Sequence, residues 1–435
     1  MLAVAAGRDD LPAALARVRT RLHDERDRAL AGEIATGALR WQGAIDHAIH
    51  ALAGRPVARL DPEVLAILRI SSFQLLHLDR VPASAVVDDA VQLAKRAGKR
   101  SASGFVNALL RRLSRERSKL PLPDKPPIDL VSITLSHPRW LAERWLSRYG
   151  VDAAIAWAQF NNRPAPLTLR ANTLKTTRDS LASALRAAGV ETEPTRFAPD
   201  GLVVVSGNPL LTPLAHTGDF FVQDEASQLV GLFTAAAPGE RVLDACASPG
   251  GKTTQMAAMT GDNATIVGAD IRGRRIELLA RTVAASGARS IHLVQADARG
   301  AAPFGASFDR VLVDAPCSGL GTIRRDPDVR WRRTEDDLAL LAAAQREMLH
   351  NLAEVVRPGG RLIYSTCSSE PDENDAVVDA FLDEHPEFTR TVPSTFETQL
   401  DLAALLDSDG ALHTLPFRDR LEAFYAVSLS RKRKG

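Results

Sequence analysis

The sequence predicts a multidomain protein: an all-α N-terminal domain, a small α+β middle module, and a C-terminal α/β domain on a doubly wound, mostly parallel sheet. Three observations carry this. Up to about residue 120, apolar side chains recur at helical spacing and strand-forming runs are few. A Pro-rich stretch, 120–129, then reads as a stiff linker. From about residue 226, short apolar runs alternate with helical patterns, the order of a βαβ sheet. A length of 435 residues suits two or three domains.

In the N-terminal part, Leu22, Ala29, Ile34, Ala38 and Leu39 recur at helical spacing, as do Val64, Leu65, Leu68, Leu75 and Leu76. Asp61 followed by Pro62 is a helix start, with Pro at the first helical position. Lys95, Arg96, Lys99, Arg100, Arg111, Arg112, Arg115, Arg117 and Lys119 form a basic stretch nearly free of acids, interrupted by Phe105, Val106, Leu109 and Leu110. A solvated helix face accounts for such a run. Its single sign and apolar interleaving fit an RNA-facing surface at least as well. Residues 1–125 thus read as one helical domain. Residues 130–225 read as the middle module, with a helix at 140–149, strands at 167–170 and 201–205, and a helix at 180–188. Residues 226–432 read as the α/β domain, with strands at 241–245, 265–269, 290–296, 308–313 and 361–365 and a last one at 424–429 that closes it.

Hydrophobic residues make up 45% and charged residues 25%, the balance of a soluble globular protein. The formal net charge of +1 gives no global pull toward nucleic acid, so any phosphate binding must come from local patches. Cys246, Cys317 and Cys367 are odd in number, widely spaced and without a Cys-x-x-Cys pair. That excludes a disulfide framework and argues against structural zinc, leaving no metal and reduced thiols. Residues 1–8 lack a signal pattern, and no apolar run could span a bilayer. We therefore read the protein as cytoplasmic, with no membrane partner.

Ligands of such sheets bind beyond the carboxyl ends of the strands. After the first strand runs Asp244-Ala245-Cys246-Ala247-Ser248-Pro249-Gly250-Gly251-Lys252, leading into a helix. The glycines allow close backbone approach, and the helix start offers N–H groups. The spacing is neither that of a dinucleotide fingerprint nor that of a phosphate loop. It fits a carboxylate-bearing nucleoside such as S-adenosyl-L-methionine, with an ordinary strand-to-helix turn as the plain alternative. Asp270 after the second strand is placed for ribose hydroxyls, and Asp297 after the third for an adenine amino group. Asp314-Ala-Pro-Cys317 follows the fourth strand, and Ser365-Thr-Cys367 the fifth. A lone cysteine is more often a small buried hydrophobe. Two at one ligand edge, in polar settings, point to a soft nucleophile for a covalent intermediate. Residue chemistry does not decide which of them attacks.

The strings DACASPGGKTT, DAPCSGLGTIRRDPDVRW and YSTCS resemble those of the Sun-type family of RNA cytosine-5 methyltransferases. The N-terminal strings DERDRALAGEIATGALRW and SASGFVNALLRRL resemble a NusB-like domain, a pairing characteristic of bacterial family members that act on 16S (small-subunit) ribosomal RNA. The resemblance covers nearly the whole chain. It implies a NusB-like RNA-binding domain, an RNA-binding middle module and a Rossmann-like domain that uses S-adenosyl-L-methionine. It implies cofactor contacts from Cys246, Ala247, Ser248, Pro249, Gly250, Gly251, Lys252, Asp270, Asp297 and Asp314. It also implies Cys367 as the nucleophile that adds to carbon 6 of cytosine, Asp314 at the cytosine N3, and Cys317 in release. The implied substrate is an unstacked cytosine from a single-stranded or loop region of 16S rRNA, with no DNA partner and a monomeric enzyme. Arg324, Arg325, Arg330, Arg332 and Arg333, with Trp331 among them, are expected to hold RNA phosphates or stack on a base.

The chain departs from the family near its end. Arg420-Leu-Glu-Ala-Phe-Tyr425 stands where many members carry an Asp-Gly-Phe-Phe-like string, so a different last hairpin is expected. The competing readings are a family enzyme acting on another RNA such as tRNA, a dinucleotide-dependent oxidoreductase, an exocyclic amino-methyltransferase, and a non-catalytic NusB-like RNA-binding factor.

Overall fold

The computed structural model describes residues 1–116, 122–301 and 303–433. Arg117 and Lys119 of the basic stretch, and residues 120–121 of the Pro-rich stretch, lie outside the described residues. The chain forms two compact units, Met1–Pro164 with Ile323–Glu335, and Ala165–Thr322 with Asp336–Gly435. This division does not follow the three-way partition read from the sequence. Residues 130–164 go with the N-terminal helices, and the small sheet shares a unit with the large one.

The first unit is helical. The helices Glu25–Arg40, Gln42–Ala53, Pro62–His77, Ala83–Arg96 and Ser103–Glu116 enclose a core that includes Ile45, Ile49, Leu68, Val106 and Leu110. The Asp61 carboxylate accepts the N–H groups of Glu63 (3.1 Å) and Val64 (3.4 Å) and caps the helix that Pro62 begins, as expected. Gly37 lets two helices meet closely, because a Cβ there would lie 2.0 Å from the Phe73 ring. Farther along, the predicted helix near residue 140 is Arg139–Tyr149. Its Trp145 stacks on Trp157 of the next helix, with ring centroids 4.8 Å apart. Lys95, Arg96, Arg100, Arg111, Arg112 and Arg115 are exposed, while Lys99 pairs with Asp61 and Glu63.

The segment 323–335 corrects one expectation. Arg330 is fully buried, its Nη1 donating to the Ser136 carbonyl (2.8 Å) and to Asn162 Oδ1 (3.0 Å). Trp331 Nε1 donates to the Leu39 carbonyl at 2.7 Å. Arg324 Nη2 donates to the Pro164 carbonyl at 2.7 Å, and its guanidinium lies over the Phe160 ring. These three side chains tie the segment into the helical unit, and Arg330, being buried, is not available to RNA phosphates. The planar, multi-donor guanidinium suits buried carbonyls as well as it suits phosphates, and the sequence carries no mark of the difference.

The second unit holds both sheets. The smaller contains β1 (Thr168–Ala171), β2 (Glu191–Pro194), β3 (Gly201–Ser206) and β4 (Phe220–Val222), antiparallel in the order β2-β3-β1-β4. The helix Arg178–Ala187 joins its core through Leu181 and Leu185. The larger sheet contains β5 (Arg241–Asp244), β6 (Thr265–Asp270), β7 (Ile291–Gln295), β8 (Phe308–Asp314), β9 (Val356–Thr366), β10 (Phe388–Thr391), β11 (Leu412–His413) and β12 (Tyr425–Arg431). Its order is β10-β12-β9-β8-β5-β6-β7, with β11 on β12. The five strands from β7 to β9 are parallel, as expected.

The last strand of the domain is not at an edge of the larger sheet. β12 lies inside it, antiparallel to both β9 and β10. Its nearly continuous burial is what a strand covered on both faces requires. Strand order reverses between β5 and β8, so the crevice at their carboxyl ends is the natural ligand site. Among the described residues, no helix is long and apolar enough to cross a membrane.

Candidate active site

The parallel register of β8 and β9 sets Asp314 opposite Ser365, so the loops that follow run side by side. They carry the two thiols to an Sγ–Sγ distance of 3.3 Å. Sequence reasoning put both at one sheet edge but could not foresee contact. This contact with Cys367 pushes the Cys317 thiol well up, reinforced by burial and by the charges of Cys367 and Glu373. Either sulfur can donate to the other in this contact.

Beside them stands an ion pair. Lys252 Nζ donates to Asp314 Oδ2 at 2.6 Å, and Ser365 Oγ donates to Asp314 Oδ1 at 2.9 Å. Burial works against the Lys252 ammonium, but Asp314 outweighs it, helped by Cys367 and Asp244, and the net pKa is raised. The Lys252 ammonium also lies 5.7 Å from the centre of the Phe424 ring. The divergent string near the C-terminal end thus packs beside the thiol centre. Gly321 makes this possible, since a Cβ there would lie 1.9 Å from the Ala423 carbonyl oxygen.

At the end of β5, Asp244 is buried and accepts the Thr253 hydroxyl at 2.7 Å. Burial pushes its pKa up to about 7, against the Thr253 hydrogen bond and with the Asp314 charge. Gly250 at the start of the next helix has φ +107°, and a Cβ on it would lie 2.8 Å from Leu279 Cδ1. Glycine there serves the turn and its packing. Pro249 is exposed at the rim of the loop.

A cavity of about 280 Å³ opens at the ends of β5, β6 and β7. Cys246, Asp270 and Asp297 line it, with Ile271, Leu341, Ala344 and Met348 among the apolar walls and Pro316 from the Cys317 loop. The residues expected around a cofactor therefore fall into two groups. Cys246, Asp270 and Asp297 face the cavity, whereas Lys252 and Asp314 pair with each other beside the thiols. Ala247, Ser248, Pro249, Gly250 and Gly251 are not part of the cavity lining.

The cavity's polar groups fit a nucleoside. Asp270 is 3% exposed, yet its Oδ2 accepts no hydrogen bond, and Arg275 Nη1 stands 3.6 Å away. An orphaned buried carboxylate oxygen is costly unless a donor reaches it, and a ribose diol supplies two. Asp297 is exposed, with its pKa lowered by hydrogen bonds from the Arg299 backbone and side chain. Burial, with Asp244, Asp314 and Asp270 nearby, pushes the Cys246 thiol far up. The wall from Leu341, Ala344 and Met348 was not foreseen. Its signal was their spacing along one face of the helix Asp336–Ala353. Among the described residues, His350, Glu384 and His385 bring metal-type donor atoms within 4.8 Å of one another, away from this cavity's lining. His350 Nδ1 and His385 Nε2 already hydrogen-bond to each other at 3.1 Å.

Comparison with known proteins gives the same picture. Residues 232–430 match the 16S rRNA methyltransferase RsmB/F family, residues 8–115 the NusB family, and residues 137–210 the ferredoxin-like domain of RsmF/B-like methyltransferases. The chain is 33% identical over 417 residues to the probable ribosomal RNA small subunit methyltransferase B of Bacillus subtilis (strain 168), covering 94% of this chain and 91% of that one. It is 36% identical over 380 residues to the ribosomal RNA small subunit methyltransferase B of Pseudomonas putida, covering 86% and 84%. The crystal structure of PH0851 superposes with a TM-score of 0.83 at 26% identity, covering 99% of this chain and 97% of that one. The chain belongs to the RsmB/F family of 16S rRNA methyltransferases, with a NusB domain in its N-terminal part and a ferredoxin-like module in the middle.

Proposed function

We propose that this protein methylates carbon 5 of one cytosine in 16S rRNA, using S-adenosyl-L-methionine and a transient bond between Cys367 and carbon 6. One observation carries the reading: two thiols 3.3 Å apart, beside a Lys252–Asp314 pair, at the carboxyl ends of adjacent parallel strands. An oxidoreductase or an amino-methyltransferase has no need of two such thiols. A pure RNA-binding factor has no need of the cavity beside them.

Bound S-adenosyl-L-methionine supplies an electrophilic methyl group on its sulfonium. The orphaned Asp270 oxygen would take its ribose hydroxyls, and the apolar wall of Ile271, Leu341 and Met348 its adenine face. Carbon 5 of cytosine is a weak nucleophile until a thiolate adds at carbon 6. Cys367 performs that addition. Asp314, steadied by Lys252 and Ser365, takes the proton that leaves the Cys367 thiol and passes it to ring N3, which neutralises the charge that the addition develops there. Once methylated, carbon 5 gives its proton to a solvent water, the electron pair of that C–H bond re-forms the carbon 5–carbon 6 double bond, and the Sγ–carbon 6 bond breaks with its pair leaving on Cys367. The Cys317 S–H, 3.3 Å away, then meets the departing Cys367 sulfur. The target base must be unstacked to reach this centre, which fits a loop or single-stranded cytosine. Transfer of tritium from labelled S-adenosyl-L-methionine to rRNA, followed by nucleoside analysis, tests the reading. Label in any product other than 5-methylcytosine overturns it.

Two results are expected from the binding surfaces. Asp270→Ala should weaken S-adenosyl-L-methionine binding tenfold or more, from the loss of charge-assisted hydrogen bonds worth about 1.5–3 kcal/mol. Calorimetry giving an unchanged affinity would remove Asp270 from the site. Replacing exposed Lys95, Arg96 and Arg100 together by Ala should weaken RNA binding while cofactor affinity holds. The salt slope should shrink by about 0.7 for each phosphate no longer neutralised. An unchanged slope would place the RNA elsewhere.

A further inference from the structure

Behind the two thiols lies a carboxylate that the chemistry above does not use. Glu373 is wholly buried. Its Oε1 accepts the Ser318 N–H at 2.8 Å and Gln345 Nε2 at 3.0 Å, and its Oε2 accepts the Ser368 hydroxyl at 2.5 Å. Ser318 follows Cys317 and Ser368 follows Cys367, and their hydroxyl oxygens are 3.1 Å apart. The adjacent Asn374 adds two bonds, accepting the Thr366 hydroxyl at 2.5 Å and donating to the Ser368 carbonyl at 3.1 Å. Tyr364, on β9, donates to the Glu373 carbonyl at 2.5 Å. One short segment therefore grips the chain on both sides of Cys367 and just after Cys317.

We infer that Glu373 is the positioning residue of the two-thiol centre: it holds the Cys317 and Cys367 loops in register and sets its negative charge behind Cys317, so that Cys317 is the donor and Cys367 the sulfur that attacks. The inference rests on the thiol chemistry proposed above.

Joining two loops would not by itself require a buried charge, since a neutral amide oxygen could take the Ser318 and Gln345 donors at lower desolvation cost, with the Ser368 hydroxyl turned to accept. The charge has a different effect on each thiol. Cys317 faces Cys367 and Glu373, both negative when ionised, with the Tyr364 hydroxyl behind it. Cys367 interacts with the Lys252 ammonium, which comes from the first turn of the helix Gly251–Met259 and is itself paired with Asp314. Two chemically identical side chains in contact would otherwise compete for one proton. A fixed anion on one side and a cation on the other break that symmetry.

The test is thiol alkylation of the full chain without RNA, read for each cysteine by peptide mass spectrometry across a pH series. In the unaltered protein, Cys317 should be modified only at a higher pH than Cys367. In Glu373→Gln, which keeps the size and most of the hydrogen bonding, the Cys317 midpoint should fall by about one unit or more, while that of Cys367 moves less. Methyl transfer should fall about tenfold with cofactor Kd within threefold. A purely structural role predicts a lower melting temperature with both midpoints unmoved or shifted together, and either result overturns the inference. So does a reversed order in the unaltered protein, which needs no variant to fold. Because no RNA is present, these outcomes are separate from the nucleophile assignment, which residual turnover in Cys367→Ala would remove alone.

Discussion

Cys367→Ala is expected to abolish methyl transfer, a loss of about 10⁴-fold or more, while S-adenosyl-L-methionine affinity stays within about threefold, ~0.6 kcal/mol. The separation follows from placement. Cys367 touches Cys317 and is no part of the cavity where Cys246 and Asp270 stand. Without the carbon 6 adduct, the ring has no enamine to present to the methyl group, so neither binding nor orientation can rescue the rate. Trimming one sulfur from a half-buried site should cost only about 1–2 kcal/mol of stability, so the variant should fold. Tritium transfer measured beside cofactor calorimetry checks both halves. Turnover above about one per cent of the unaltered rate would remove Cys367 as nucleophile.

Cys317→Ala is expected to fail in the opposite sense, by accumulating a covalent protein–RNA complex. Cys367 can still add to carbon 6, and the methyl group can still transfer. The departing sulfur then lacks the S–H that lies 3.3 Å away, and the adduct persists. A denaturing gel should show a shifted band in Cys317→Ala, none in Cys367→Ala and none in the double variant. If both cysteines were ordinary buried thiols, no variant would give a band. A band that survives Cys367→Ala and vanishes in Cys317→Ala would exchange the roles, a chemically sound alternative because Pro316-Cys317 also presents a thiol at a strand end.

Much of the larger sheet was legible because its parallel strands are short apolar runs with chemistry at their ends. Asp270, Asp314 and Cys367 each follow such a run, so order along the chain sufficed to place them at one edge. Side-chain direction was not legible. Lys252 ends a cofactor-type loop in sequence, but its ammonium turns to Asp314. Glu373 was hidden among Glu370, Asp372 and Asp375, and only the folded loops show which acid meets Ser318 and Ser368. β2 was missed because Glu-Thr-Glu-Pro has no apolar alternation, and β10 because Phe-Thr-Arg-Thr carries a single apolar residue. β12 was recognised as a strand, but its place between β9 and β10 depends on pairing that sequence order does not encode. Arg330 and Trp331 misled for a related reason: a run of arginines looks the same whether it meets phosphates or its own carbonyls.

The return of Ile323–Glu335 to the helical unit imposes an order of events during synthesis. The helices up to Asn162 leave the ribosome first, and the core around Leu68 can close at once. Asn162 then waits for Arg330, which is 168 residues farther along. At about 5–20 residues per second, that wait is roughly 8–34 seconds. For its duration the Ser136 carbonyl and the Asn162 side chain lack the guanidinium that later fills the space between them. The smaller sheet and the strands through β8 are made within this interval. The N-terminal unit therefore reaches its final form only on a nascent chain that already carries the Cys317 loop, and a chain released before that point would leave the ribosome with an unfilled polar site for chaperones or proteases to find.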